Sequence, residues 1–207
     1  MLSAKRSPPR VSALLARSRG RIEVALEGEP WRTLPAEAVL AAGLDVGVEL
    51  DRGRARRVRR ELVRHEAMAT AARSLARRDL TEQELAERLS QADVPPAARS
   101  EALGRMVRTG AVDDERFARS RAETLAARGS GDAWIRHDLA GRGIAAEVVE
   151  TAVDALETES GRAKRIVERR GPSLKTARHL ARKGFSEHSI EGTCGMAIAE
   201  GAPPAVP

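Results

Sequence analysis

The sequence predicts an all-α chain of tandem three-helix, helix-turn-helix-like repeats forming an elongated crescent, with a small α+β module ahead of them. From Asp51 to residue 196, apolar residues recur at helical spacing, punctuated by Gly, Pro and capping residues. Within that span one pattern returns three times: a Leu, four residues, then an apolar residue, with Gly or Asp just before it. The copies are Leu85, Leu89, Asp93, Val94; then Ile135, Leu139, Gly143, Ile144; then Thr176, Leu180, Gly184, Phe185. Gly and Asp suit the left-handed corner on which many helices end. Aromatic residues are only 2% of the chain, so the core is built from Leu, Val, Ile and Ala, which favours close-packed helices.

In chain order, residues 1–20 hold Pro8-Pro9 and scattered Arg without periodicity and are expected to be a disordered basic tail. A small module follows over 21–50. Arg21–Leu26 alternates as a strand does, Glu27–Pro30 reads as a turn, and Trp31–Leu34 as a returning strand. Pro35–Ala42 reads as a helix ended by Gly43. Residues 51–110 comprise a long basic helix capped by Asp51 and the first three-helix repeat, in which Thr81 and Glu84 form a capping box. The second repeat is placed over 111–157 and the third, shorter, over 158–196. Residues 197–207, ending in Pro203-Pro204 and Pro207, are expected to be a disordered tail.

Between the first and second repeats, Gly110-Ala111-Val112-Asp113-Asp114-Glu115-Arg116-Phe117-Ala118 closes one helix and opens the next. Its three acids suit helix capping and dipole neutralisation, or alternatively a carboxylate pair for catalysis or Mg²⁺. Phe117 is expected to be an apolar anchor.

The charge distribution constrains partners more than the net +6 does. Residues 1–60 carry 13 basic and 7 acidic side chains, 61–110 carry 8 and 8, 111–157 carry 6 and 10, and 158–207 carry 9 and 5. Basic ends around an acidic centre argue against one continuous phosphate-binding stripe and for a partner of mixed charge. Cys194 is the single cysteine, so no intrachain disulfide can form and a reducing compartment fits. No run reaches the roughly 18–20 apolar residues of a membrane helix; the expectation is a cytoplasmic monomer away from membranes.

Catalytic chemistry is not indicated. The four His are scattered, and His65-Glu66 lacks a second His at position 69, which is Ala. One Cys and dispersed His are poor material for a metal site, which needs three or four convergent ligands. Gly141-Arg142-Gly143 lacks a third Gly and reads as a helix end. We therefore expect no enzyme activity, cofactor or metal. Two Arg-rich runs could contact phosphate or be solvated helix faces. One contains Arg54, Arg56, Arg57 and Arg60; the other contains Arg162, Lys164, Arg165, Arg169 and Arg170, continuing through Lys175, Arg178, Arg182 and Lys183. With two Trp, two Phe and no Tyr, little is available for base stacking. Trp134 is expected in the core, and Trp31 either there or exposed.

Several segments resemble, in the right order, the RecX family of bacterial regulators of the RecA recombinase. They are Leu75–Leu89, the Gly110–Ala118 stretch with its Asp-Asp-x-x-Phe-Ala core, Ile135–Ile144 and Leu180–Ser186; Gly43–Gly47 also resembles an N-terminal module of some members. The resemblance implies a non-enzymatic helical regulator that binds RecA or the RecA–single-stranded-DNA filament and most often inhibits its recombinase, ATPase and co-protease activities. It makes Asp113, Asp114, Phe117 and Ala118 signature positions, with Leu85, Leu89, Ile135, Leu139, Gly143, Leu180 and Gly184 as structural ones. Weak, non-specific nucleic-acid contact would accompany this role. The alternative is a helix-turn-helix-like DNA-binding protein acting independently of RecA. The absence of Tyr and the short third repeat depart from the family pattern.

Overall fold

The structure is a computed structural model that describes residues 7–200, with side chains through residue 195. Among the described residues, a three-stranded sheet precedes ten helices. Strands β1 (Val11–Arg17), β2 (Arg21–Leu26) and β3 (Glu29–Pro35) pair antiparallel in chain order. Glu27 and Gly28, with φ of 51° and 90°, join β2 to β3 through a two-residue turn whose left-handed residues match the twist of the strands. Pro30 therefore belongs to β3 rather than to the turn, and is tolerated because β3 is an edge strand.

The expected disordered tail over 1–20 is corrected by β1 at Val11–Arg17, while residues 1–6 lie outside the described residues. Its register slips between Val11 and Ala13, so the inward positions Val11 and Leu14 lie three apart. That spacing hides the strand period of two. Val11, Val24, Leu34, Val39, Ala42, Leu44 and Val58 form the core beneath the sheet, drawing on helix α1 (Ala36–Ala41) and the long helix α2 (Arg52–Leu75). The Asp51 carboxylate caps α2 by accepting the Arg54 amide at 2.7 Å. Further along, α2 buries Ala67 and Ala71.

The remaining helices are α3 (Glu82–Gln91), α4 (Pro96–Arg108), α5 (Asp114–Ala127), α6 (Asp132–Ala140), α7 (Ala146–Asp154), α8 (Glu159–Arg170), α9 (Leu174–Arg182) and α10 (Glu187–Glu200). Helix α10 extends past the expected limit at residue 196, so 197–200 are not tail; 201–207 lie outside the described residues. Cys194 is 1% exposed in the core of the last three helices. The chain makes two compact units. The first ends at Arg77 and resumes over Ala86–Met106; the second takes Arg78–Leu85 and the chain from Val107 onward.

The threefold pattern has a direct structural cause. Asp93, Gly143 and Gly184 all adopt positive φ, of 54°, 76° and 79°. Immediately after each, the amides of Val94, Ile144 and Phe185 donate back to the carbonyls of Leu89, Leu139 and Leu180, at 3.1, 3.4 and 3.1 Å. This six-to-one closure terminates the helix and folds the following apolar side chain onto the Leu. All six of those apolar side chains are buried.

In the second unit, Ala118, Ala122, Leu125, Ile135, Leu139, Ile144, Val149 and Val153 make the core of α5–α7. Ala163, Ile166, Val167, Ala177, Leu180 and Phe185 make that of α8–α10.

Candidate functional site

The second unit contains two joints built on one plan. In the first, Asp114 opens α5 and its carboxylate accepts the Glu82 amide at the start of α3, at 2.9 Å. Thr81 donates its hydroxyl to the Arg142 carbonyl in the α6–α7 turn at 2.8 Å. In the second joint, Glu159 opens α8 and its carboxylate accepts the Asp132 amide at the start of α6, at 2.8 Å. The α9–α10 turn meets the same helix start, with Gly131 donating to the Lys183 carbonyl at 2.8 Å and Ala133 to the Gly184 carbonyl at 3.2 Å. An acid from the next repeat thus satisfies an orphan amide of the previous one.

Charge reinforces both joints. Across the first runs an alternating ladder: Arg78 and Arg142 share Glu84 at 2.8 and 2.7 Å, while Arg142 and Arg121 share Asp138 at 3.0 and 2.8 Å. The Arg121 hydrogen bonds, with help from Arg142, hold the Asp138 carboxyl below the usual aspartate value. The Arg142 guanidinium lies 5.8 Å over the half-buried ring of Phe117. Phe117 therefore packs at the joint, and Ala118 beside it is fully buried. Asp113 caps α5 by accepting the Arg116 amide at 2.9 Å. Asp113 and Asp114 are thus both engaged as helix caps.

In the second joint the corresponding cation is Arg162, which lies 5.9 Å over Phe185. Arg162 is 4% exposed and donates to the Ser130 carbonyl at 2.7 Å, the Glu157 carbonyl at 3.1 Å and the Asp132 carboxylate. Arg162, expected as a phosphate contact, is thus turned into the joint, while Lys164, Arg165, Arg169 and Arg170 of the same run face outward. Arg165 is exposed yet paired with Glu157. Arg54, in the other unit, bonds the Glu49 carbonyl at 3.1 Å and lies near Asp51.

Other candidates are exposed. Lys164, Arg169 and Arg170 on α8 and Lys175, Arg178 and Arg182 on α9 make no ion pair among the described residues, nor does the half-exposed Lys183. Lys175, Arg178 and Arg182 fall on one face of α9. Between the end of α5, α8 and α9 lies a cleft of about 370 Å³ lined by Arg128, Gly129, Ile166, Arg169, Arg170 and His179, with no carboxylate in its walls. Burial first, then Arg170, Arg182 and Lys183, push the His179 imidazole below its usual value. Excess positive charge in a concave surface suits a phosphate group. Arg128 and His179 were not singled out from sequence, because the first is isolated in it and the second's neighbours come from two helices. On α2, Arg56, Arg57 and Arg60 are exposed, Arg60 only 3.9 Å from Glu61. Among the described residues, no three His, Cys, Asp or Glu converge as a metal site, and no helix is long and apolar enough to cross a membrane.

Trp134 departs from its expected core position. It is 49% exposed, because the neighbouring Ile135 takes the inward face of α6 at 0%.

The geometry of joined three-helix units has counterparts among known proteins. Residues 67–106 match the model of the first three-helix domain of RecX, and residues 113–153 that of its second three-helix domain. The chain belongs to the RecX family. A crystal structure of regulatory protein RecX superposes with a TM-score of 0.78 at 21% identity, covering 91% of this chain and 99% of that one. RecX from Lactobacillus salivarius superposes with a TM-score of 0.57 at 19% identity, covering 66% and 97%. No curated protein matches the chain significantly. The two RecX domain matches contain the residues of the first joint, whereas the unpaired cations of α8 and α9 lie beyond residue 153.

Proposed function

We propose that this chain binds the RecA recombinase, free or as its filament on single-stranded DNA, and restrains its recombinase, ATPase and co-protease activities. It would thereby regulate DNA repair and the SOS response, as a cytoplasmic monomer needing no cofactor and performing no catalysis. Membership of the RecX family, through two matched domains in tandem, carries this reading. The unpaired cations of α8 and α9 support weak, non-specific phosphate contact, and the acidic 111–157 segment supports a partner that also offers protein surface.

The test is sedimentation of preformed RecA filaments on single-stranded DNA with increasing amounts of the chain. Co-sedimentation that weakens with salt, and weakens further in Arg169→Glu/Arg170→Glu, is expected. Absence of the chain from the pellet at low salt contradicts the reading. The cationic face of α9 favours a second reading, a helix-turn-helix-like protein acting on duplex DNA without RecA. Sequence-selective duplex binding by the chain alone would establish that one.

A further inference from the structure

Trp134 is a large apolar side chain left half in water on a rigid mount. Its backbone is clamped at the second joint. A Cβ placed on Gly184 would come 2.7 Å from the Trp134 nitrogen and 2.8 Å from its Cβ, so only glycine admits this approach. Ala133, the residue before, donates to the Gly184 carbonyl. The His137 ring stands 6.2 Å away and tilted by 45°, flanking the indole rather than stacking on it. Packing against Gly184 also puts Trp134 next to the end of α9, where Arg182 and Lys183 carry no ion pair among the described residues. One turn back along α9, His179 enters the carboxylate-free cleft of Arg128, Arg169 and Arg170.

An exposed indole on a fixed backbone, beside unneutralised cations, is the combination that holds an unpaired nucleotide. The ring takes the base face and the cations take the backbone phosphates. We propose that Trp134 is a stacking platform for one base of single-stranded DNA whose phosphates lie on Lys183, Arg182 and the cleft of Arg128, Arg169 and Arg170. This rests on the nucleic-acid contact proposed above, and names the residue that makes it selective for single strands. A duplex offers the same phosphates but keeps its bases stacked inside.

The experiment uses the full chain without RecA, so its result is independent of whether RecA is the partner. In Trp31→Phe the indole of Trp134 becomes the sole tryptophan reporter. A short oligothymidylate should quench its emission, while inorganic polyphosphate and a duplex of equal phosphate count should bind with far less quenching. In the unaltered background, Trp134→Ala should weaken labelled oligothymidylate, read by anisotropy, by about five- to a hundredfold. The same variant should leave polyphosphate affinity unchanged, and Trp134→Phe should recover part of the loss. Equal quenching by polyphosphate, unchanged oligothymidylate affinity in Trp134→Ala, or tighter binding of oligouridylate than of oligothymidylate would each overturn the assignment.

Discussion

Asp114 and Glu159 occupy the same place in successive repeats, each reaching from the first turn of one helix to cap the start of an earlier one. Their surroundings nevertheless set their acidities apart. Burial, with Asp113 and Glu84 nearby, outweighs the Glu82 amide and raises the Asp114 carboxyl above its usual value. Glu159 is as buried but accepts hydrogen bonds from the Ser186 hydroxyl and amide, the Asp132 amide and the Ser189 hydroxyl, which lower it. The second joint is therefore the better-satisfied one.

Removing these acceptors should rank accordingly. Glu159→Ala leaves several donors unmet and should cost about 3 kcal/mol, while Asp114→Ala should cost about 1 kcal/mol, a typical cap. Asp114→Asn, which keeps an acceptor and sheds the buried charge, should cost less than half of Asp114→Ala. Urea denaturation of the full chain measures all three.

The pH dependence has opposite sign at the two positions. With its folded value lowered, Glu159 contributes stability above the ordinary glutamate value of 4.5, and loses it as pH falls through the folded value. Raised instead, Asp114 contributes below the ordinary 3.8 and loses that contribution as pH rises through its folded value. Glu159→Gln should flatten the fall in melting temperature below pH 4.5, and Asp114→Asn should steepen it slightly. Parallel melting curves for all three proteins would contradict this.

The two cation-capped rings should differ with burial. Phe185 is 5% exposed, so Phe185→Ala should cost about 3–5 kcal/mol. Phe117 is only half-buried and should cost about 2 kcal/mol. Arg162→Ala should cost about 3–5 kcal/mol because it strands Asp132, and Arg162→Lys should not restore the bonds to two carbonyls and a carboxylate. Thermal or chemical melts read these losses.

Gly143 and Gly184 share a left-handed φ, but a new Cβ meets different neighbours. At Gly143 it meets the Gln83 amide group and, at 2.7 Å, the Gln83 Cβ, which no side-chain rotation moves; at Gly184 it meets the Trp134 backbone nitrogen at 2.7 Å. Gly143→Ala and Gly184→Ala should therefore each destabilise, in urea denaturation, by clearly more than the roughly 1–2 kcal/mol of the left-handed conformation alone.

Local chemistry made the helices and repeat corners readable from sequence. Leu89, Leu139 and Leu180, each followed five residues later by an apolar partner, encode the six-to-one closure directly. Strand β1 was missed because a register slip destroyed its alternation. The inward turn of Arg162 and the outward turn of Trp134 were also missed. Each depends on which side of a helix faces the next repeat, and that is set by Ser130, Asp132 and Gly184, distant in sequence. The cleft of Arg128 and His179 was invisible for the same reason. On α4, Ala98 and Ala102 are buried beside Met106, and Ala is a weak periodic signal.

The most direct test of a RecX-type regulatory role is the rate of ATP hydrolysis by RecA on single-stranded DNA as this chain is added. We expect hydrolysis to fall in a dose-dependent manner at substoichiometric to stoichiometric ratios, and the fall to be blunted by Arg169→Glu/Arg170→Glu. An unchanged hydrolysis rate at saturating amounts of the folded chain would contradict the proposed function.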